Sequence, residues 1–341
     1  MRGILEMLVK YTKRPNRGSV PMLPVYQLSI PTPYPVGPVN VYLIKSDPIT
    51  LIDIGPDTPE GKKKLREGLK SLGVDLAQIK RVLLTHSHPD HCGLAAWISH
   101  ESGAAIYAHP HEIRRITGAS DHVKERMPLI MQSGLPGDKM AEIEGDTDKL
   151  SRPNLDSQKV EPLHGGESLD FASDKLQVIH IPGHAPGHLC FLDSQYGYFF
   201  SGDFLLPHIT PNPIMEPDPD NPSHRLPVLE QYIAGLQAAE KMDIKLVWPG
   251  HGGVFNDYNR VIKEGYAHHQ MQFEKIKKAL HTQRKSSYQI TDIIYPALKG
   301  WNIFMGLSEI QAHLDYLFSQ GELQGELQDG VMYYWNPEVS G

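Results

Sequence analysis

Apolar residues fall in short blocks along the chain, and the spacing inside each block sets the element it predicts. Val25 to Ile30 and Val39 to Ile44 alternate or run apolar with β-branched residues, predicting strands on either side of the proline-stiffened loop Pro31-Thr32-Pro33-Tyr34-Pro35. Thr50 to Gly55 predicts a third strand, ending at Asp53 and Gly55, and Pro59 to Leu72 has the charge and spacing of a helix with an exposed face. Val82-Leu83-Leu84 predicts a short buried strand, Leu94 to Ser102 a helix and Ala105 to Ala108 another strand. Strand and helix alternate, so the class is α/β.

From about residue 111 to 154 the pattern changes to helical segments broken at Gly134-Leu135-Pro136, with Met127, Met131 and Met140 beside Leu129 and Ile130. Such a helical insertion either packs as core or roofs a site, where methionine suits an adaptable apolar pocket. Strands return at Leu176 to Ile181, Tyr198 to Ser201 and Leu246 to Trp248, with a helix over Leu226 to Lys241. Beyond residue 258, a long helix, two helix-like stretches (Tyr288 to Leu298 and Ser308 to Ser319) and a hairpin turning at Gln328-Asp329-Gly330 make a winged-helix-like module. The expected organisation is therefore a leader over residues 1–24, a catalytic domain over 25–258 and a C-terminal module over 259–341.

Composition narrows the classes. With 33 basic against 40 acidic residues the net charge is −7, which argues against nucleic acid as a general partner. The C-terminal module is itself acidic, through Glu309, Asp315, Glu322, Glu326 and Asp329, and its aromatic residues point to packing on the catalytic domain or to a homodimer. Cys92 and Cys190 are too few for a disulfide framework and fit a reducing, cytoplasmic compartment. Glu6 and the basic run Lys10, Lys13, Arg14 and Arg17 leave no signal peptide, and no apolar run approaches the roughly 20 residues of a membrane span.

The chemistry concentrates in Thr85-His86-Ser87-His88-Pro89-Asp90-His91, directly after a predicted strand. A loop leaving a strand can turn alternate side chains inward: His86 and His88 are spaced to grip one metal, and Asp90 and His91, on the next turn, could supply a second. Three more predicted strands end in potential ligands, in Pro182-Gly183-His184, Ser201-Gly202-Asp203 and Pro249-Gly250-His251. In a layered sheet such ends share one edge, where glycine lets the backbone turn and side chains converge. Asp53 is either a turn residue or a carboxylate set to orient a ligand.

Together these stretches resemble the metallo-β-lactamase fold superfamily, and within it the glyoxalase II-like hydrolases, over about residues 25 to 255. The resemblance implies an αββα sandwich with two metal ions at the sheet edge. It implies His86, His88 and His184 as ligands of the first, Asp90, His91 and His251 of the second, and Asp203 as the bridge. His188 opens the strand after His184 and is set to orient a ligand or carboxylate by a hydrogen bond. The mixed nitrogen and oxygen ligands suit zinc best, with iron or manganese accepted. Two such cations activate a shared water, with Asp90 placed to orient it or carry its proton.

Departures from the family narrow the substrate. β-Lactamases of this fold often carry cysteine where Asp203 stands. The glutathione-contacting tyrosine of glyoxalase II is replaced by Gly253, and the tyrosine of quorum-quenching lactonases by Leu206. The reading favoured is hydrolysis of a small acyl thioester or ester, with Met127, Ile130 and Met131 receiving the acyl chain. A phosphodiesterase or endoribonuclease of the lactamase-like type, a lactonase, and a binding protein without turnover are the alternatives.

Overall fold

The computed structural model describes residues 23–120, 122–147, 155–172, 174–218 and 221–337. The leader expected over residues 1–24 therefore lies almost wholly outside the described residues, as does the end of the helical insertion.

Two sheets form the centre. In the first, β1 (Val25–Ile30), β2 (Val39–Ile44), β3 (Thr50–Ile52), β4 (Arg81–Leu83), β5 (Ala105–Ala108) and β6 (Val160–Pro162) lie side by side in that order. The first three pair antiparallel and β3 through β6 parallel. The parallel half is joined by α1 (Pro59–Ser71), α2 (Pro89–Cys92) and α3 (Ala95–Ser102). The second sheet runs β11 (Leu246–Pro249), β10 (Tyr198–Gly202), β9 (Leu189–Asp193), β8 (Lys175–His180) and β7 (Ser168–Asp170).

The apolar runs follow from burial on both faces. In β2, Val41 and Leu43 face the cluster under α1 and α3, and Tyr42 and Ile44 face the cluster between the sheets. Leu51 and Ile52, and Val82 and Leu83, divide in the same way. In the second sheet Leu189 and Phe191 point inward, while Cys190 and Leu192 meet α7 (Val228–Ala239) and α8 (Tyr258–Ala279) outside. A strand's period of two thus feeds two cores, and the layers are helix, sheet, sheet, helix. This is the αββα sandwich of the metallo-β-lactamase type.

The insertion supplies α4 (Pro110–Ile116), α5 (His122–Met131) and α6 (Gly137–Thr147). The C-terminal part adds α9 (Ser287–Ile294), α10 (Trp301–Ser319) and a small sheet ordered β12 (Lys285–Ser286), β14 (Val331–Trp335), β13 (Gln324–Gln328). The hairpin turns on Asp329 and Gly330, at φ 50° and 82°, as a two-residue turn with both central residues left-handed requires. This part packs on the rest of the same chain. Ile310, Leu314 and Tyr334 share a cluster with Val228 and Leu229, and Ile303, Phe304 and Leu307 share one with Leu129, Ile130 and Ile143. Arg225 joins it to the sandwich through a two-pronged bond to Asp315, at 2.7 and 2.8 Å.

Candidate metal centre

The motif loop leaves β4 and closes at once into α2. His88 is the residue before the helix, with extended backbone, and Pro89 occupies the first helical position, where a missing N–H costs nothing. His86 and His88 therefore project from the extended segment, and Asp90 and His91 from one helical turn. His184, Asp203 and His251 arrive from the ends of β8, β10 and β11.

The seven donors fall into two groups that share a boundary. His88 Nδ1 lies 2.8 Å from His86 Nε2 and 3.0 Å from His184 Nε2. His251 Nε2 lies 3.3 Å from Asp90 Oδ2, and His91 Nε2 lies 3.9 Å from the same oxygen. Asp203 stands between them: Oδ1 is 3.4 Å from His91 Nε2, and Oδ2 is 3.6 Å from His184 Nε2 and 3.7 Å from His251 Nε2.

The far side of each ring fixes which nitrogen faces the centre. His184 Nδ1 donates to the Asn212 carbonyl at 3.1 Å, and His251 Nδ1 donates to the Pro38 carbonyl at 2.9 Å. His91 Nδ1 donates to Asp53 Oδ2 at 2.8 Å. The Thr85 hydroxyl donates to Asp53 Oδ2 at 2.8 Å, leaving its oxygen to accept from His86 Nδ1 at 3.0 Å. In neutral rings each of these four histidines then presents Nε2 with its lone pair inward. Asp53, buried at φ 53°, serves a histidine of each group at once. His188 Nε2 accepts from the Asp203 backbone N–H at 3.2 Å and so positions that carboxylate.

Charge divides the centre. Burial, followed by the neighbouring imidazoles His91 and His88, holds His86 well below the usual histidine value, and burial with His184 does the same to His88. Burial also lowers His184, against the pull of Asp203. Burial works the same way on His91, yet Asp203, Asp90 and Asp53 overcome it and raise that ring well above its usual value. His251 is raised by Asp203 and Asp90 against burial. Burial would push Asp203 up, but His91 and His251 hold it well below the carboxylate range.

The residues fit metal ions. His91 Nε2, Asp203 Oδ1 and His251 Nε2 are buried without a hydrogen-bond partner, an arrangement that is costly unless a cation meets them. Ligand bonds of about 2.0–2.1 Å put neighbouring donors of a tetrahedral ion about 3.3 Å apart, close to the separations in the first group. Gly250 leaves the space: a Cβ there would meet Asp203 Oδ1 at 2.2 Å and His91 Cε1 at 2.8 Å.

Several supporting residues carry no sequence signal. Glu112 of α4 is fully buried beneath the motif and accepts from the Ser87 amide (3.0 Å), the Ser87 hydroxyl and the Gly187 amide (2.7 Å), tying the His86–His88 segment to the loop after His184. Asn212 donates to the Met305 carbonyl of α10 at 2.9 Å and so connects that helix to His184. Asn40 and Tyr42 bond the Pro249 carbonyl at 2.9 and 2.6 Å, steadying the segment before His251.

The three expected acyl contacts are not brought together. Ile130 is core, packed on Ile143, Phe304 and Leu307; Met131 is 64% exposed on the outside of α5; Met127 is half-buried. Consecutive helical residues point about 100° apart, so Ile130 and Met131 cannot line one wall. Ile130 thus stands in the core and Met131 on the outer surface.

The metallo-beta-lactamase superfamily profile matches residues 34–251. The chain is 28% identical over 317 residues to the probable metallo-hydrolase YqjP of Bacillus subtilis (strain 168), covering 91% of this chain and 95% of that protein. It is 23% identical over 207 residues to an atrochrysone carboxyl ACP thioesterase of Aspergillus fumigatus, covering 61% of this chain but 35% of that protein. Among solved structures, a metallo-beta-lactamase family protein from Thermus thermophilus superposes with a TM-score of 0.78 at 26% identity, over 92% of this chain and 98% of the other. That share is more than residues 25–258 can supply, so the likeness runs into the C-terminal part. With the ligand-bearing strand ends inside the matched segment, the chain belongs to the metallo-β-lactamase superfamily and is a metallo-hydrolase of it.

Proposed function

We propose that the chain is a dinuclear, zinc-dependent hydrolase of small carboxylic thioesters or esters. The observation that carries the dinuclear reading is Asp203, one carboxylate within 3.7 Å of donors of both groups, through Oδ2 for His184 and His251 and through Oδ1 for His91. When bound, two such cations supply an activated water and polarise the substrate carbonyl.

The chain's own residues supply the rest. In their neutral forms His91, anchored on Asp53, and His251, anchored on Pro38, hold their lone pairs inward. The Asp90 carboxylate, beside His251 Nε2 at 3.3 Å, is placed to hold the proton of the attacking water and return it to the departing thiol or alcohol. No cysteine competes as a nucleophile, because burial pushes both the Cys92 and the Cys190 thiol well above their usual value. The thioesterase among the relatives supports the acyl class.

Charge pairing argues against the nuclease alternative. The basic run at the end of α8 is partly neutralised within the C-terminal part, with Lys277 2.6 Å from Glu322 and Arg284 3.7 Å from Glu326. The test is to assay zinc-loaded protein against a panel of acyl thioesters, aryl esters, lactones, a phosphodiester and single-stranded RNA. Thioester turnover abolished by Asp203→Ala supports the proposal, and RNA cleavage without acyl turnover refutes it.

A further inference from the structure

Away from the sheet edge, α8 and α10 bring His268, His269 and Glu309 together, with donor atoms within 4.8 Å of one another. His269 and Glu309 are buried, and His268 stands at the rim with about a third of its side chain exposed. His268 Nε2 lies 3.0 Å from Glu309 Oε1. His313 Nδ1 donates to the Glu309 carbonyl at 2.6 Å, so its Nε2 keeps the lone pair and accepts from His269 Nδ1 at 3.0 Å. That leaves the lone pair of His269 on Nε2, a buried atom with no partner; Gln272, whose Nε2 donates to Glu309 Oε1 at 3.4 Å, has a buried Oε1 that is also unpartnered. An orphaned buried acceptor is costly unless a donor or a cation meets it.

We propose that His268, His269 and Glu309 form a further metal site, separate from the sheet-edge centre, for a divalent cation of the zinc type. Two imidazoles and a carboxylate are a zinc donor set, and the partly exposed His268 side leaves a solvent ligand the remaining position. The protonation states agree with this. Burial drives His269 down to about 3, and burial also lowers His313, so both rings are neutral near pH 7. Burial would raise Glu309, but the hydrogen bond from His268 and the charges of the surrounding histidines bring it below its usual value, so it is anionic. Ligand bonds of about 2.0–2.2 Å require donors about 3.3 Å apart, so a separation at the 4.8 Å limit must close by up to about 1.5 Å, through rotation of the side chains concerned.

The site would clamp α8 to α10. It also borders the catalytic layer: the His269 ring meets Tyr232 at 5.6 Å, and the Tyr232 hydroxyl donates to the carbonyl of Phe204, next to Asp203, at 3.2 Å. The inference goes beyond the proposed reaction and stands without it, since it concerns different residues.

The test uses the full chain, zinc chloride as the probe, and metal content per chain after desalting. His268→Ala and Glu309→Gln are each expected to hold one equivalent less zinc than the parent, with unchanged far-UV circular dichroism. In a His88→Ala/His91→Ala background, which removes a donor from every sheet-edge group, zinc is expected to raise the melting temperature, and adding His268→Ala is expected to abolish that rise. Equal zinc content in the parent and His268→Ala, or a melting shift that survives His268→Ala, overturns the proposal. Should Glu309→Gln not fold, His268→Ala at the partly exposed rim decides alone. Failure of the sheet-edge centre to bind zinc would be seen separately, as equal zinc content in the parent and the His88→Ala/His91→Ala variant.

Discussion

Replacing Asp53 by asparagine keeps the shape, tolerates the left-handed backbone and removes only the charge. The carboxylate accepts from the Thr85 amide at 2.8 Å, from the Thr85 hydroxyl at 3.1 and 2.8 Å, and from His91 Nδ1 at 2.8 Å. An amide has one acceptor where the carboxylate has two. If its oxygen faces Thr85, its NH₂ meets the His91 N–H, and that ring escapes the clash by moving its proton to Nε2, where it occupies the lone pair aimed at the centre. If its oxygen faces His91, the NH₂ meets the buried Thr85 amide.

A hydrogen bond to a charged group is worth about 1.5–3 kcal/mol. At about 1.4 kcal/mol per factor of ten, this agrees with the roughly 10–100-fold loss of metal affinity typical when a histidine ligand's outer partner is removed. The assay is competitive zinc titration of the parent and Asp53→Asn, with activity followed as zinc is added. We expect affinity at the His91 side to fall within that range and excess zinc to restore turnover. A variant that melts earlier yet binds zinc within twofold of the parent would show that Asp53 serves the loop alone and refute the argument.

Other outcomes follow from packing, charge and metal. Ile130→Ala should cost about 2–5 kcal/mol in urea unfolding, as a core deletion does, and Met131→Ala about 0.5 or less; comparable effects would refute the assignment of Ile130 to the core. Glu216 is buried between Arg115 and Arg126, and although burial pushes it up, the two guanidinium groups hold it at about 2, below its ordinary 4.5. A depressed carboxylate contributes stability that is complete above its unfolded value and is lost as pH falls toward 2, so Glu216→Gln should be less stable near neutrality and show a shallower acid limb between about pH 4.5 and 2. Chelation should abolish acyl turnover and leave far-UV circular dichroism unchanged, because the apolar clusters on each sheet face close without a cation; unfolding on chelation would contradict this.

The strands and the candidate ligands were legible because both leave local signals. A strand buried on both faces reads as an apolar run, and a ligand at its end follows a glycine or the motif. Glu112 and Asn212 were not legible, since Glu112 meets Ser87 from 25 positions away and Asn212 meets Met305 from 93, and no spacing records such contacts. α10 begins at Trp301, ahead of the expected Ser308, because Ile303, Phe304 and Leu307 are buried against the insertion while Ile310, Leu314 and Leu317 join a second cluster beside α7 and α8. A helix covered on two sides loses the polar stripe that marks an amphipathic period. Val160–Pro162 and Ser168–Asp170 escaped because, unlike the equally short β3 and β4, they are mostly exposed and carry no apolar run.

The path from the Met305 carbonyl through Asn212 to His184 makes the C-terminal helix and the metal centre parts of one equilibrium. Linkage of this kind is reciprocal: the free energy that cation binding lends to the docking of the helix is the same free energy that docking lends to cation affinity. A chain deprived of that helix would need a higher free-cation concentration to fill the same site. Conversely, the supply of cation would set how firmly the helix is seated.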